Sequence, residues 1–424
     1  MGELLENHYI RLAAMAADDY LRSLPQRAVA PTKDSISALC AFDEQLPNHG
    51  AGLEETVDLM ARLGSPAATA TAGPRFFGLV VGGALPAALS ARILSSAWDQ
   101  IVFDEQTSPV GLKIEQVAGA WILDLLELPN ASSVSFVTGA TMGNLTCLAA
   151  ARSAVLTRLG WDVERQGLRA APEISVYVGE QAHVSVLKVL RLLGIGDDCP
   201  VRLRCDDQGR IDTEHLPLIE DDAIVIAQAG NLNSGAMDPF AALRARAPKA
   251  WIHVDGAFGL WANALPSLQP NLEGIKDCDS WVVDGHKWLN TPYDCGMAIC
   301  RHPEWVRKAM STQAAYLLDQ VGCPKDMGPE FSRSARAVEV WAALRCLGRS
   351  GLIDLIERCC RHARRCASGL EELGFTVLND VTLNQVVATV DGDDDRMPEL
   401  AHRVRESGEA WFGSTNFNGR SAVR

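Results

Sequence analysis

Between Ser133 and Cys300 the chain alternates two patterns of apolar and polar positions. Short runs rich in β-branched residues (SVSFV, ISVYV, AIVIAQ, WIHVD, SWVVD and GMAIC) read as strands. GNLTCLAAARSAVLTRLG lies between the first two runs and HVSVLKVLRLLG between the second and third, both with helical spacing. The runs are apolar on both faces, so the pattern predicts an α/β fold whose mainly parallel sheet is covered by helices on each side. From Phe331 to Leu373 the spacing is helical again, as in SARAVEVWAALRCLG. FTVL, QVVATV and a helix near Leu400–Glu406 then predict a smaller α+β domain.

This divides the 424 residues into an N-terminal helical segment (1–74), a large domain (75–345) and a small C-terminal domain (346–424). The small-residue tract GSPAATATAG reads as the connector out of the first segment. The chain stops at GRSAVR, on the start of a strand, so the small domain is expected to be incomplete.

Composition narrows the picture. Hydrophobic residues make up 47% and mean hydropathy is +0.02, as in a soluble globular protein with a sizeable core. A net charge of −14 and a pI near 5.1 argue against a nucleic-acid partner, which would require basic clustering. The N-terminus lacks the basic start and apolar block of a signal peptide, and no run is long enough to span a bilayer, so a cytoplasmic location and no membrane partner are expected. The twelve cysteines are scattered, which suits reduced thiols. Cys359, Cys360, His362 and Cys366 match no zinc spacing, and no metal is expected.

In parallel sheets ligands bind beyond the carboxyl ends of the strands. After SVSFV, the turn TGATMGN opens a helix, and small residues at a helix start suit an anion such as phosphate, or a plain tight turn. After ISVYV comes His183, whose imidazole could stack on a flat ring or be structural. WIHVD ends on Asp255, a carboxylate that needs a positive or hydrogen-bonding partner. SWVVD leads to Lys287, and an amine in a desolvated position is a nucleophile toward carbonyl carbon. Phosphate cradle, flat surface, carboxylate and amine are together what a phosphorylated pyridine aldehyde requires.

HVDGA followed by DGHKW, with the upstream QAH and TGAT, resembles the group II pyridoxal-phosphate-dependent amino-acid decarboxylases, which include aromatic-L-amino-acid, tyrosine, glutamate and diaminobutyrate decarboxylases. The similarity runs from about Arg75, through GPRFFG, to the end of the chain. It implies fold type I of the pyridoxal-phosphate enzymes and a homodimer with active sites at the interface. By position, Lys287 would form the Schiff base with pyridoxal 5′-phosphate, Asp255 would hold the pyridinium proton and His183 would stack on the ring. Ala257 would pack on the opposite face, Ala140 and Thr141 would cradle the phosphate with His286 close by, and Asn231 would be a further cofactor contact. Tyr316, in QAAYLL, matches a loop tyrosine thought to reprotonate the substrate Cα. Phe77 and Leu79 fall in the substrate pocket, and Arg424 matches an arginine that binds the substrate carboxylate in some members.

The implied reaction is decarboxylation of an L-amino acid to its amine. Leu79 and Val80 stand where the animal aromatic enzymes often carry larger aromatics, which predicts an apolar pocket. Gly78 replaces the polar residue of the glutamate enzymes, which argues against glutamate, and an aromatic substrate is the favoured expectation. The segment from Tyr316 to Phe331 is shorter than in those aromatic enzymes. A carbon–carbon lyase or aldehyde synthase on the same scaffold, and a catalytically silent homologue, are the alternatives.

Overall fold

The computed structural model describes residues 8–312 and 323–424. They form two compact units, Ala84–Ala388 and Met1–Gly83 with Thr389–Arg424. This partition places the N-terminal helical segment with the end of the chain, whereas the sequence pattern divides the chain into three consecutive segments.

In the larger unit seven strands form one sheet: β1 (Ser133–Val137), β2 (Ser175–Gly179), β3 (Val201–Leu203), β4 (Ala223–Gln228), β5 (Trp251–Asp255), β6 (Ser280–Asp284) and β7 (Gly296–Cys300). Their order is β1-β7-β6-β5-β4-β2-β3. β6, β5, β4, β2 and β3 pair in parallel, and β7 runs antiparallel to both β1 and β6. The carboxyl ends of β1, β6, β5, β4 and β2 therefore open onto one edge. All six expected strands form; β3, three residues long on the sheet's edge, is too short to show a pattern.

The Ala140–Arg158 helix follows β1 and is buried along most of its length. Its alanines 149, 150, 151 and 154 join Leu148, Val155, Val178, Val189, Leu190, Ile224 and Ile226 in one core. Each large side chain so buried contributes about 1.5–3 kcal/mol. Small residues on the helix let it lie close to the sheet. A Cβ at Gly143 would come 2.8 Å from Val282 Cγ1 on β6. On the same face of the sheet, Val184–Leu192 follows β2 with His183 as its N-cap. The Phe331–Leu373 region contains the helix Ala337–Glu372, broken at Gly348, whose φ of +63° and ψ of −179° leave helical geometry.

In the other unit the helices include His8–Ser23, Leu53–Leu59 and Met397–Ser407. Ser414–Phe417 and Arg420–Val423 form an antiparallel hairpin, so GRSAVR does run into a strand, which ends at Val423. Among the described residues no helix is long and apolar enough to cross a membrane.

Candidate active site

Lys287 follows β6 in a tight turn. Asn290 N donates to Lys287 O at 3.2 Å and Thr291 N to Gly285 O at 3.1 Å. Buried Trp288 and Leu289 anchor the chain beyond it. The lysine side chain keeps 23% of its surface, and Nζ lies 2.9 Å from Asp284 Oδ2. The lysine charge thus has a carboxylate partner three residues back.

Asp284, the last residue of β6, is only 2% exposed. Its Oδ1 accepts from Ala140 N at 2.6 Å. Gly139 offers no side-chain cap to the Ala140–Arg158 helix, so this carboxylate from β6 takes that place. The approach depends on Gly296, at the start of β7. A Cβ there would sit 2.6 Å from Gly139 Cα and 2.7 Å from Asp284 Oδ1.

Asp255 ends β5, beside β6, and is buried. Its Oδ2 accepts from Asn144 Nδ2 at 3.2 Å and its Oδ1 from Ala257 N at 3.2 Å. Ala257 O in turn accepts from Asp284 N at 2.8 Å, tying the ends of the two strands together. Behind Asp255, Asn144 Oδ1 is 2.8 Å from His253 Nε2, and His253 Nδ1 is 2.9 Å from Ser280 Oγ. Burial pushes the His253 pKa down to about 4, against a smaller opposing pull from Asp255.

His286 is buried and stacks on Tyr293 at 4.4 Å between centroids. Its Nδ1 accepts from Cys295 N at 3.1 Å, which puts the proton of the neutral ring on Nε2, 3.5 Å from Asp284 Oδ2. Burial lowers its pKa, so at neutral pH the ring is a neutral donor on this side. His183 stands exposed at the end of β2, its Nδ1 2.7 Å from Ser185 Oγ. Thr141 is exposed on the first turn of its helix. Asn231 is buried and folded into its own loop, where Oδ1 accepts from Asn233 N and Ser234 N at 2.9 and 3.2 Å.

The sheet thus brings Ala140, Thr141, His286, Lys287, Asp255, Ala257, Asn231 and His183 to one edge. An amine, a carboxylate held as an acceptor, a helix start and an exposed imidazole are a donor set that fits a phosphorylated pyridine aldehyde. Tyr316 lies outside the described residues. Phe77, Leu79 and Arg424 belong to the other unit. There Phe77 and Leu79 expose 66% and 58% of their surface, and Leu79 and Val80 have φ of +59° and +54°. Arg424 N and O pair with Gly413 O and N at 2.9 and 3.1 Å, and burial lowers the pKa of its side chain.

Sequence reading assigned no functional role to Asn144, His253 or Asp284. A signal existed for His253: it precedes Asp255 by two, which puts both on one face of a strand. Asn144 falls one helical turn after Ala140, but nothing local pairs it with β5.

The model of the pyridoxal-dependent decarboxylase conserved domain matches residues 37–390. The aromatic-L-amino-acid decarboxylase of Bacillus atrophaeus is 26% identical, over 96% of this chain and 88% of that protein. The 4-hydroxyphenylacetaldehyde synthase of Rhodiola rosea is also 26% identical, over 93% and 84%. A crystal structure of Oryza sativa TDC with PLP and tryptamine superposes with a TM-score of 0.90 at 24% identity, covering 98% of this chain and 92% of that one. The shared fold is that of the fold type I pyridoxal-phosphate enzymes.

Proposed function

The chain belongs to the pyridoxal-dependent decarboxylases, enzymes that use pyridoxal 5′-phosphate, and from that premise we propose that it converts an aromatic L-amino acid to its amine and CO2. The observation that carries the reading is the placement of Lys287, just after β6, and of Asp255, at the end of the adjacent parallel strand β5, on the same edge of the sheet. The two positions suit the aldehyde carbon and the ring nitrogen of a single cofactor. When bound, pyridoxal phosphate supplies a protonated ring that accepts the electron pair released as CO2 leaves.

The protein's own groups do the rest. Asp255, fixed by Asn144 and Ala257 N, presents a negative charge that holds a proton on the ring nitrogen. His253 stays neutral behind it and adds no competing charge. Lys287 supplies the amine that the substrate displaces, and His183 would offer a flat face beyond the end of β2, on the same edge of the sheet. Ala140, Thr141 and His286 would bind the phosphate. Charge stabilisation of this kind is strongest after the bond begins to break, so it accelerates the reaction rather than merely holding substrate.

An aromatic substrate is supported by Gly78 and Leu79 and by the name of the Bacillus relative. Phe77 would line the same pocket and Arg424 would take the substrate carboxylate. A homodimer with interface active sites and a cytoplasmic location are part of the same reading. A CO2-release screen over the L-amino acids, with pyridoxal phosphate present and the organic product identified, tests it. Equal yields of CO2 and amine from tyrosine, tryptophan or DOPA are expected. Release from acidic or diamino substrates alone would overturn the substrate assignment, and no release from any would overturn the activity. The Rhodiola relative favours a second reading, in which the product is an aldehyde.

A further inference from the structure

Asp284 makes two contacts that a cofactor at this site would also use. One oxygen takes the Ala140 N–H at 2.6 Å, and the other lies 2.9 Å from Lys287 Nζ. The first of these N–H groups opens a helix of nineteen residues, the end that attracts anions. The carboxylate is nearly inaccessible to water, so its charge is poorly screened. Lys287 is its ionic partner, and His286 adds no further offset, since burial favours the neutral imidazole.

We propose that Asp284 is a positioning residue that competes with the cofactor phosphate for the start of the Ala140–Arg158 helix, making the site load against a fixed negative charge. Two anions at one helix start repel, and like charges placed together at a binding surface weaken binding. In exchange, the carboxylate caps the helix and holds the Lys287 amine in place before the cofactor arrives. Weak cofactor retention follows from this arrangement, independently of which amino acid is the substrate.

Equilibrium titration of the apoprotein with pyridoxal 5′-phosphate and, separately, with unphosphorylated pyridoxal tests the idea by absorbance and tryptophan fluorescence. Asp284→Asn removes the charge and keeps the shape. It is expected to tighten pyridoxal-phosphate binding about tenfold or more, with less than about a twofold change for pyridoxal. Inorganic phosphate should also compete better against loading in the variant. Equal tightening for both ligands would place the effect on Lys287 rather than on the phosphate and overturn the proposal. Weaker or unchanged phosphate-ligand binding would overturn it too, while leaving the Lys287 site itself intact. Asp284→Ser provides a second charge-free variant. If neither variant folds, the carboxylate serves the fold and the proposal fails.

Discussion

Asn144 joins His253 to Asp255, and the join has a direction. The indole Nε1 of Trp251 can only donate, and it does so to Ser280 Oγ at 2.9 Å. Ser280 can then pass its own proton toward His253 Nδ1, leaving Nε2–H to donate to Asn144 Oδ1. That orients the Asn144 amide with its N–H groups toward Asp255. Four side chains from three elements thus converge on keeping one carboxylate an acceptor.

Asn144→Ala should break this chain at its centre. It strips a donor from Asp255 and leaves the buried Nε2–H of His253 without its acceptor, a loss of about 1–3 kcal/mol. Denaturant unfolding should register that loss. Turnover should fall more than substrate KM rises, because the change acts on the charge facing the cofactor.

The His253 shift also predicts a pH dependence. Its folded pKa of about 4 lies below the ordinary histidine value of 6.5, so the unfolded chain binds the proton first. The neutral ring's contribution is fully present above about pH 6.5 and is lost as pH falls toward 4, amounting to roughly 3 kcal/mol across that window. Unfolding free energies for the wild type and His253→Gln, measured from pH 8 to 4.5, should converge as the pH falls.

Gly296→Ala places a methyl against Gly139 and the Asp284 carboxylate. Backbone on one side and a buried charge on the other leave little room to yield. A loss of about 1–3 kcal/mol in stability is expected. Pyridoxal-phosphate affinity should drop as well, by titration, since the helix start is displaced.

Gly78 is packed under an aromatic ring. A Cβ there would fall 1.8 Å from Trp411 Cζ3, and Trp411 stacks on Phe76 at 4.6 Å. Gly78→Ser should therefore lower the melting temperature by several degrees, consistent with an overpacking cost of about 1–3 kcal/mol. Calorimetry of the purified variant would check this before any change in substrate preference is interpreted.

Tyr316→Phe addresses the choice between amine and aldehyde. Loss of the phenol proton donor should reduce amine and raise aldehyde, read by product chromatography. An unchanged ratio would remove Tyr316 from the reaction.

Much of the site is legible along the chain because its physics is local. Short apolar runs rich in β-branched residues and bounded by turn residues read as buried strands, and polar residues just past them fall at the carboxyl edge. Lys287, Asp255 and the TGAT turn are each ambiguous on that ground and point to one site only when taken together, whereas the α/β class follows from the alternation of strands and helices. The partners of those residues are another matter. β7 enters antiparallel between β1 and β6, and that insertion brings Gly296 against Gly139. Asp284 caps a helix that begins 144 residues earlier, and Asn144 reaches Asp255 across 111. No periodicity encodes such pairings. They arise because buried charges and amides must be satisfied once packing has set which strands are neighbours. The chain's pattern marked the lysine as reactive; the assembled sheet decided that an aspartate would hold it.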